Sequence, residues 1–188
     1  MFNFDVGTST KHMSETNPLK TDCSKCAALC CMALAFDQGK EFAFTKNPGE
    51  PCRNLRGNRC SVHSDLAQKG FAGCIAYDCL GAGNRVVQEV FGGRSWQQDV
   101  RLVGPMIEAF ASMREVHKRI DLLRAAETFV LGQDDQKIRT QLLAQLERQQ
   151  WDEDALSEFH TGLALDVDIF MFRLKDHLPA SLADEFLA

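Results

Sequence analysis

The chain has 188 residues, 45% hydrophobic and 25% charged, which is enough apolar material to bury a core in one ordinary domain or two small ones. Its formal net charge of −5 gives no global basic field, so nucleic acid and anionic membrane are disfavoured as main partners. No run approaches the roughly 18–20 consecutive apolar residues that span a bilayer. The first residues also lack a basic region followed by an apolar one. We therefore expect a cytoplasmic protein.

All eight cysteines lie between Cys23 and Cys79, and none follows in the rest of the chain. Residues 1–79 carry nine Lys or Arg against eight Asp or Glu, whereas residues 80–188 carry twelve against eighteen. Turn-forming stretches such as NPGEPC interrupt the first part, while the second shows helical periodicity without internal repeats. We therefore predict a flexible N-terminal segment at residues 1–19, a cysteine-rich metal-binding segment at 20–98, and a helical bundle at 99–188 that forms one cooperative unit with it.

Short helices are predicted within the cysteine-rich part of the chain. The first candidate covers residues 23–36, because Asp22 can cap it and its Ala and Leu residues favour helix. A second follows His63 and ends at Gly70, a residue suited to a left-handed cap. A third covers residues 84–91 and stops at a pair of glycines.

A long helix is predicted to begin near Asp99, with Pro105 either in its first turn or at a kink. Its apolar residues repeat at intervals of three, four or seven and form a core-facing stripe: Val103, Ile107, Phe110, Met113, Val116, Ile120, Leu123 and Val130. The stretch GQDD at 132–135 interrupts this period, which two or three further helices resume until Pro179. The expected fold class is mainly α, with an irregular, metal-stapled, cysteine-rich N-terminal segment packed on a C-terminal bundle of about four helices.

Four of the cysteines follow the spacing C-x2-C-x3-C-C, at Cys23, Cys26, Cys30 and Cys31. On a helix that turns about 100° per residue, the first three would share one face and Cys31 would leave it. Neighbouring thiols on two helical turns cannot readily all pair as disulfides, but they can bind a metal or face ligands from elsewhere. Because Cys30 and Cys31 would diverge, the spacing favours two metal centres or one bridged cluster.

The other candidate ligands are Cys52, Cys60, Cys74 and Cys79, and His63 follows Cys60 as C-x2-H. His63 is therefore either an additional ligand or a helix-capping or supporting residue. Thiolate-rich tetrahedral sites select zinc or iron, and a dense cysteine cluster in an unexported chain is more typical of a metal site than of disulfides. A disulfide framework and redox or catalytic thiols are the alternatives. Spacing does not decide between zinc and an iron–sulfur cluster, because thiolate accepts both.

Several blocks of this region resemble a known kind of bacterial sequence: DCSKCAALCC, FAFTKNPGEPCRNL, RCSVH, KGFAGCIAYDCLGAGNRV and FGGRSW. They are similar to the cysteine-rich segment that precedes pentapeptide repeats in a group of bacterial proteins, and to the broader zinc- or iron-chelating CxxCxxCC domain family. The resemblance covers about residues 20–130 and implies that all eight cysteines chelate metal. One extra residue separates Cys26 from Cys30 relative to the broader family, which leaves the ligand set open. No five-residue period follows Val130, so the resemblance implies no activity of such repeats here.

Three other patterns have simpler interpretations than a separate site. The glycines of CLGAGNRV indicate a tight turn after the last cysteine rather than a dinucleotide-binding loop, whose third glycine is missing. Arg53, Arg56 and Arg59 are interpreted as solvated or thiolate-compensating side chains rather than as a phosphate site. His117 and His160 are predicted to lie on solvated helix faces.

The function favoured by these observations is a cytoplasmic metal-binding protein that holds zinc, or an iron–sulfur cluster, in a structural, sensing or electron-transfer role. One alternative is a metal- or thiol-dependent enzyme, although no acid–base pair or nucleophile constellation accompanies the cysteines. Another is an interaction adaptor whose helical bundle binds a partner protein. Nucleic acid and membrane are not expected partners. The three loop arginines could neutralise only about three phosphates, while residues 80–188 carry a net charge of −6, from twelve basic minus eighteen acidic residues.

Overall fold

The computed structural model describes residues 17–175 of the chain. Residues 1–16 of the predicted N-terminal segment and the helix end predicted at Pro179 lie outside the described residues. Within the described range the protein is mainly helical, as predicted: seven α-helices and several short 3-10 turns accompany one two-stranded hairpin. None of the described helices is both long and apolar enough to cross a lipid bilayer.

The cysteine-rich segment is built from short elements joined by turns. Its hairpin is antiparallel and pairs Leu55 with Cys60. In chain order the elements are the 3-10 turn Cys23–Lys25, α1 (Leu29–Ala33), β1 (Leu55–Arg56), β2 (Arg59–Cys60), the 3-10 turn His63–Asp65, α2 (Ala72–Ala76) and α3 (Ala82–Arg85). A π-helical turn, Val86–Val90, then continues α3 toward the bundle.

The continuous helix predicted over residues 23–36 is wrong. The chain forms the 3-10 turn Cys23–Lys25 and then takes a left-handed conformation at Ala27 (φ 34°) and Ala28 (φ 54°) before α1 begins. The indole Nε1 of Trp96 donates a hydrogen bond of 2.8 Å to the carbonyl oxygen of Ala27. This long-range contact holds a backbone conformation that the helix propensity of alanine disfavours.

The two other short helices of this segment follow the predictions more closely. After His63 the chain makes only the 3-10 turn His63–Asp65, but Gly70 has the left-handed φ of 77° expected of a cap. The helix predicted at residues 84–91 is present as α3 and the π-helical turn after it, and two glycines with positive φ end it.

Up to residue 175, the C-terminal bundle contains four helices, in agreement with the prediction: α4 (Val103–Ala125), α5 (Gln133–Leu146), α6 (Glu153–Thr161) and α7 (Leu163–Leu174). The Asp99 side chain accepts a hydrogen bond of 3.0 Å from the backbone nitrogen of Arg101 and caps the 3-10 turn that leads into α4. Pro105 lies in the first turn of α4, where a missing N–H is tolerated.

A hydrophobic core surrounds α4 and continues into the cysteine-rich segment. The buried face of α4 consists of Met106, Ala109, Phe110, Met113, Val116, His117, Ile120 and Leu123. Helices α5 to α7 add Leu142, Leu146, Leu156, Phe159, Val167, Phe170 and Leu174. The same core includes Cys26, Leu29 and Val86. In the described part of the chain, the cysteine-rich segment and the bundle therefore share buried contacts.

Both ends of the predicted stripe on α4 depart from the expectation. Val130 is 98% exposed, because α4 ends at Ala125 and the 3-10 turn Ala126–Thr128 interrupts the helical period. Val103 and Ile107 are half-buried, while neighbouring residues take the core positions. The middle of the stripe is buried as predicted.

Candidate metal centre

All eight cysteines lie among the described residues and are free thiols. Cys26 and Cys79 are buried, Cys23 and Cys74 are exposed, and the other four are half-buried. The thiols that affect one another's pKa form two neighbouring groups, which meet at Cys30. The inner group consists of Cys23, Cys26, Cys30 and Cys79, and the outer group of Cys31, Cys52, Cys60 and Cys74.

The inner group is assembled where the chain before the first cysteine packs against the turn after Cys79. The hydroxyl oxygen of Thr21 lies 3.6 Å from the Cys79 sulfur and accepts a hydrogen bond of 3.1 Å from the Gly81 nitrogen. The backbone nitrogen of Asp22 donates to Oδ1 of Asn84 at 3.2 Å. These bonds hold the first cysteine of the chain beside the last.

Cys26 enters the inner group through a close approach to Gly83. A Cβ atom at Gly83 would lie 2.2 Å from the Cys26 sulfur, so the contact requires glycine. Burial, assisted by the nearby thiols of Cys30, Cys79 and Cys23, raises the pKa of the Cys26 thiol to about 12. Burial and the same kind of thiol neighbours also raise the pKa of Cys23. The inner group thus disfavours several thiolates at once unless a cation is present.

The outer group is organised around the hairpin and its attachment to α1. The backbone nitrogen of Cys52 donates a hydrogen bond of 2.9 Å to the carbonyl oxygen of Cys31. Strand pairing places Cys60 opposite Leu55. Leu55 itself lies three residues after Cys52 in the sequence. The thiols of Cys52 and Cys60 lie within electrostatic reach of Cys31. They also reach Cys74 on α2, whose pKa is raised by partial burial and by these neighbours.

Cys30 and Cys31 join the two groups. The two are successive residues of α1 (Leu29–Ala33), in which neighbouring side chains diverge by about 100°, as the spacing predicted. The two thiols nevertheless affect each other's pKa. Their side-chain interaction lowers the pKa of the Cys30 thiol and raises that of Cys31, so the pair carries one negative charge more readily than two.

A buried lysine lies beside this pair of cysteines. Lys46 is 5% exposed. Its Nζ donates hydrogen bonds to the carbonyl oxygens of Met32 (3.1 Å), Leu34 (2.5 Å) and Asn47 (3.0 Å). The ammonium group also lies within electrostatic reach of thiols from both groups, while burial lowers its pKa. Sequence analysis missed Lys46, because a lysine within FAFTKNPG has the local signature of an exposed loop.

The thiol groups do not form a finished coordination site. No three or more His, Cys, Asp or Glu residues between positions 17 and 175 form a set that would hold a metal ion. His63, the additional candidate ligand, is exposed at the start of its 3-10 turn. Backbone contacts hold residues 21 and 22 beside residues 81 and 84, and Cys52 beside Cys31.

Backbone strain is concentrated beside the inner group. Among the described non-glycine residues, φ is positive at Ala27 (34°), Ala28 (54°) and Leu80 (51°). Ala27 and Ala28 immediately follow Cys26, and Leu80 immediately follows Cys79. A left-handed conformation costs an L-residue about 1–2 kcal/mol. Such strain persists where surrounding contacts over-determine the backbone, and it clusters at functional sites.

The two helical histidines have different environments. His160 is exposed, as predicted, and its Nε2 lies 2.9 Å from the Ser112 hydroxyl oxygen. The same prediction is wrong for His117, which is 0% exposed on α4. Its Nδ1 donates to the carbonyl oxygen of Leu80. The apolar residues around His117 in the sequence follow the helical period of the core. This period was the sequence signal that could have predicted burial of His117.

The hairpin arginines make local structural contacts. The Nη1 atom of Arg56 donates to the carbonyl oxygens of Arg53 and Leu55, at 2.9 and 2.7 Å. The Arg53 guanidinium lies 4.9 Å from the centroid of the Phe44 ring. Arg59 is exposed. Two of the three arginines therefore contribute to the hairpin and its packing.

The chain is similar to the uncharacterized protein YybG of Bacillus subtilis (strain 168), with 41% identity over 118 residues. The aligned region covers 62% of this chain and 42% of YybG. The chain thus matches less than half the length of that relative. It matches no protein-family profile and no solved structure.

Proposed function

We propose that the chain is a cytoplasmic metal-binding protein whose eight cysteines hold zinc, with an iron–sulfur cluster as the alternative cofactor. The observation that carries this proposal is the gathering of eight free thiols into two adjoining groups. Four thiolates with one Zn²⁺ satisfy the tetrahedral coordination of a structural zinc site. The metal would staple the irregular N-terminal segment, or serve sensing or electron transfer if it is iron–sulfur.

The electrostatics of the thiols support this proposal. Burial and mutual repulsion raise the pKa of Cys23 and Cys26, which makes these thiols poor thiolates in the metal-free chain. A bound cation reverses this effect, because it stabilises the charged form of each ligand. Buried thiols without such a role are chemically inert and need no thiol neighbours. Their clustering is therefore explained more simply by a shared cation than by core packing.

The strained turns beside the inner group provide a second line of support. Ala27, Ala28 and Leu80 adopt left-handed conformations next to Cys26 and Cys79. Metal binding can supply folding free energy of order 10 kcal/mol, which would offset strain of this size. The resemblance of the cysteine blocks to the zinc- or iron-chelating CxxCxxCC family points the same way, and we propose this relationship for residues 20–130.

The test is metal analysis with an absorption spectrum, on protein purified without oxygen. A colourless protein with stoichiometric zinc would support the structural role. Visible sulfur-to-iron charge-transfer bands, with matching iron and sulfide, would support the iron–sulfur alternative. A folded chain that retains no metal, and takes up neither zinc nor iron after reduction, would overturn the proposal.

A second candidate function is an interaction adaptor whose bundle binds a partner protein. Helix α7 supports it, because Leu165, Ile169 and Phe172 are exposed at intervals of four and three residues. Leu165→Glu with Phe172→Glu would abolish capture of such a partner while leaving metal content unchanged. Loss of metal in this variant would count against separate roles for the bundle and the cysteines.

A thiol-dependent enzyme is supported only by the lowered pKa of Cys30. Nucleic acid and membrane do not belong to the proposal, because the exposed basic side chains of the hairpin are few and residues 80–188 are net acidic.

A further inference from the structure

The exposed side of α7 carries a row of large apolar side chains. Leu165, Ile169 and Phe172 are 58%, 52% and 59% exposed. Residues at intervals of four and three share one side of a helix. We infer that this row is the contact surface of a homodimer, in which α7 of one protomer packs antiparallel against α7 of a second copy. The inference rests on the second candidate function, a bundle that binds a protein, and names that protein; it does not depend on metal binding.

Helix α7 is apolar on two sides. Nine of its 12 residues are apolar. One side packs against α4, α5 and α6. The residues buried there are Ala164, Val167, Phe170, Met171 and Leu174. A surface helix typically has one apolar stripe and a polar opposite face, whereas a helix that is apolar all round is covered on both sides. The second side of α7 therefore has the composition of an interface.

The charged residues of α7 favour an antiparallel neighbour. Asp166 and Asp168 lie in its N-terminal half, whereas Arg173 and the following Lys175 lie at its C-terminal end. In an antiparallel pair, the acidic end of each helix lies beside the basic end of the other. A parallel pair would place like charges together, which opposes association. The surface is thus complementary to a second copy of itself.

Two of these four charges are neutralised within the chain. Asp168 forms an ion pair of 2.8 Å with Arg119 on α4. Arg173 forms an ion pair of 2.9 Å with Asp135 on α5. These pairs help to fix α7 on the bundle, so that its orientation is already set before a second copy binds.

The other two charges remain available at the surface. Asp166 and Lys175 are exposed, and within residues 17–175 neither forms an ion pair. The Lys175 ammonium lies 4.1 Å from the centroid of the Phe172 ring, at the end of the apolar row. Each charge can therefore pair with the opposite charge on a second copy beside the apolar contact.

A two-fold axis near Ile169 satisfies both the apolar row and the charges. Leu165 and Phe172 lie four and three residues from Ile169 in opposite directions. Antiparallel packing about this point sets Leu165 against Phe172 of the partner subunit, and Asp166 toward Lys175 of the partner subunit. Such a contact uses the same surface on both subunits and closes after two copies.

The size of the contact indicates a weak dimer. Helix α7 is about 18 Å long and about 10 Å wide. This footprint is well below the roughly 800 Å² that each partner buries in a standard interface. We therefore expect monomer and dimer to exchange in the micromolar concentration range.

The test is sedimentation equilibrium of the full-length chain from low micromolar to submillimolar concentrations. Excess reductant excludes disulfides between copies, because all eight cysteines are free. The parent should follow a monomer–dimer equilibrium, and Leu165→Glu with Phe172→Glu should weaken it at least tenfold. Circular dichroism checks that this variant remains folded. A parent that stays monomeric at every concentration would overturn the inference. That result would leave the adaptor function to another partner, and the zinc content of the same sample would still test metal binding.

Charge reversal tests the antiparallel arrangement without changing an apolar residue. Asp166→Lys and Lys175→Glu each place like charges together in their own homodimer, so each should weaken self-association at least threefold. An equal mixture of the two variants should favour the mixed dimer in native mass spectrometry, because both contacts then join opposite charges. The control is Lys40→Glu, an equal charge change at an exposed position outside the bundle, which should dimerise like the parent. A statistical mixture of dimers would overturn the antiparallel contact.

Discussion

The fully buried imidazole of His117 on α4 donates a hydrogen bond from Nδ1 to the backbone carbonyl oxygen of Leu80. Leu80 follows Cys79 and has a φ of 51°. The bond therefore attaches the bundle to a strained turn of the inner group. Nε2 is buried and has no hydrogen-bond partner in the part of the chain that the structure describes. Burial lowers the pKa of His117 to about 4, which keeps the ring neutral at pH 7.

This environment predicts acid sensitivity. The unfolded chain binds a proton at the ordinary pKa of 6.5, whereas the folded chain binds it only near 4. The contribution of the neutral His117 ring to the free energy of unfolding is therefore complete above pH 6.5 and is lost as the pH falls toward 4. The loss amounts to about 3 kcal/mol at most. His117→Asn keeps a donor for Leu80 but removes this titration, so its unfolding free energy should fall less between pH 7 and 4.5 in urea denaturation.

The comparison with the parent protein isolates His117. Both proteins keep all cysteines, so proton competition at the thiols cancels in the difference. His160→Asn, at an exposed position, should retain the pH slope of the parent. Identical slopes for the parent and His117→Asn would show that the buried ring does not titrate on unfolding.

Removal of metal should loosen residues 20–95 more than the later helices. This segment has short elements and fewer buried apolar side chains than residues 96–175, so metal binding is expected to supply much of its folding free energy. Strong chelator should lower amide protection there by more than tenfold, which is about 1.4 kcal/mol, while α5 and α7 change less. Hydrogen exchange with mass spectrometry measures this directly. The control is chelator already saturated with zinc, and unchanged protection after complete metal loss would contradict the prediction.

Lys46 should be important for the outer group. Lys46→Met removes the donor for three carbonyl oxygens and a positive charge near Cys31 and Cys52. We expect the unfolding free energy to fall by about 2–3 kcal/mol, because buried acceptors lose their partner, and zinc affinity to decrease. Lys40→Met, at an exposed position, should change stability by less than about 0.5 kcal/mol. Equal effects of the two substitutions in chemical denaturation would argue against this role.

Gly83→Ala should disturb Cys26. The added Cβ would lie 2.2 Å from the sulfur, so the thiol must move, at a cost of about 1–3 kcal/mol. The matched control is Gly104→Ala in α4, where a Cβ meets nothing within 4 Å and helix propensity predicts a gain of about 0.5–1 kcal/mol. Alkylation of Cys26 in the metal-free protein should be faster in Gly83→Ala only. Unchanged reactivity would show that the contact is not tight in solution.

The sequence by itself determined the helical bundle. The period of residues such as Phe110, Met113 and Val167 follows helix geometry, and all three are buried in the core. The helix caps at Asp99 and Gly70 could also be predicted from the sequence, because capping depends on the type of residue at the helix end. The helical period wrongly predicted that Val130 is buried. The 3-10 turn Ala126–Thr128, which no local sequence pattern indicates, changes the register before this residue.

The grouping of the cysteines was decided only by the tertiary structure. The spacing was interpreted on one continuous helix, but the left-handed backbone at Ala27 and Ala28 interrupts that helix between Cys26 and Cys30. That backbone region depends on the indole of Trp96, 69 positions away from Ala27. The inner group likewise depends on contacts across 60 positions, between residues 21 and 81. Local propensity extends over a few residues, so it predicts which side chains are available as ligands but not which of them meet.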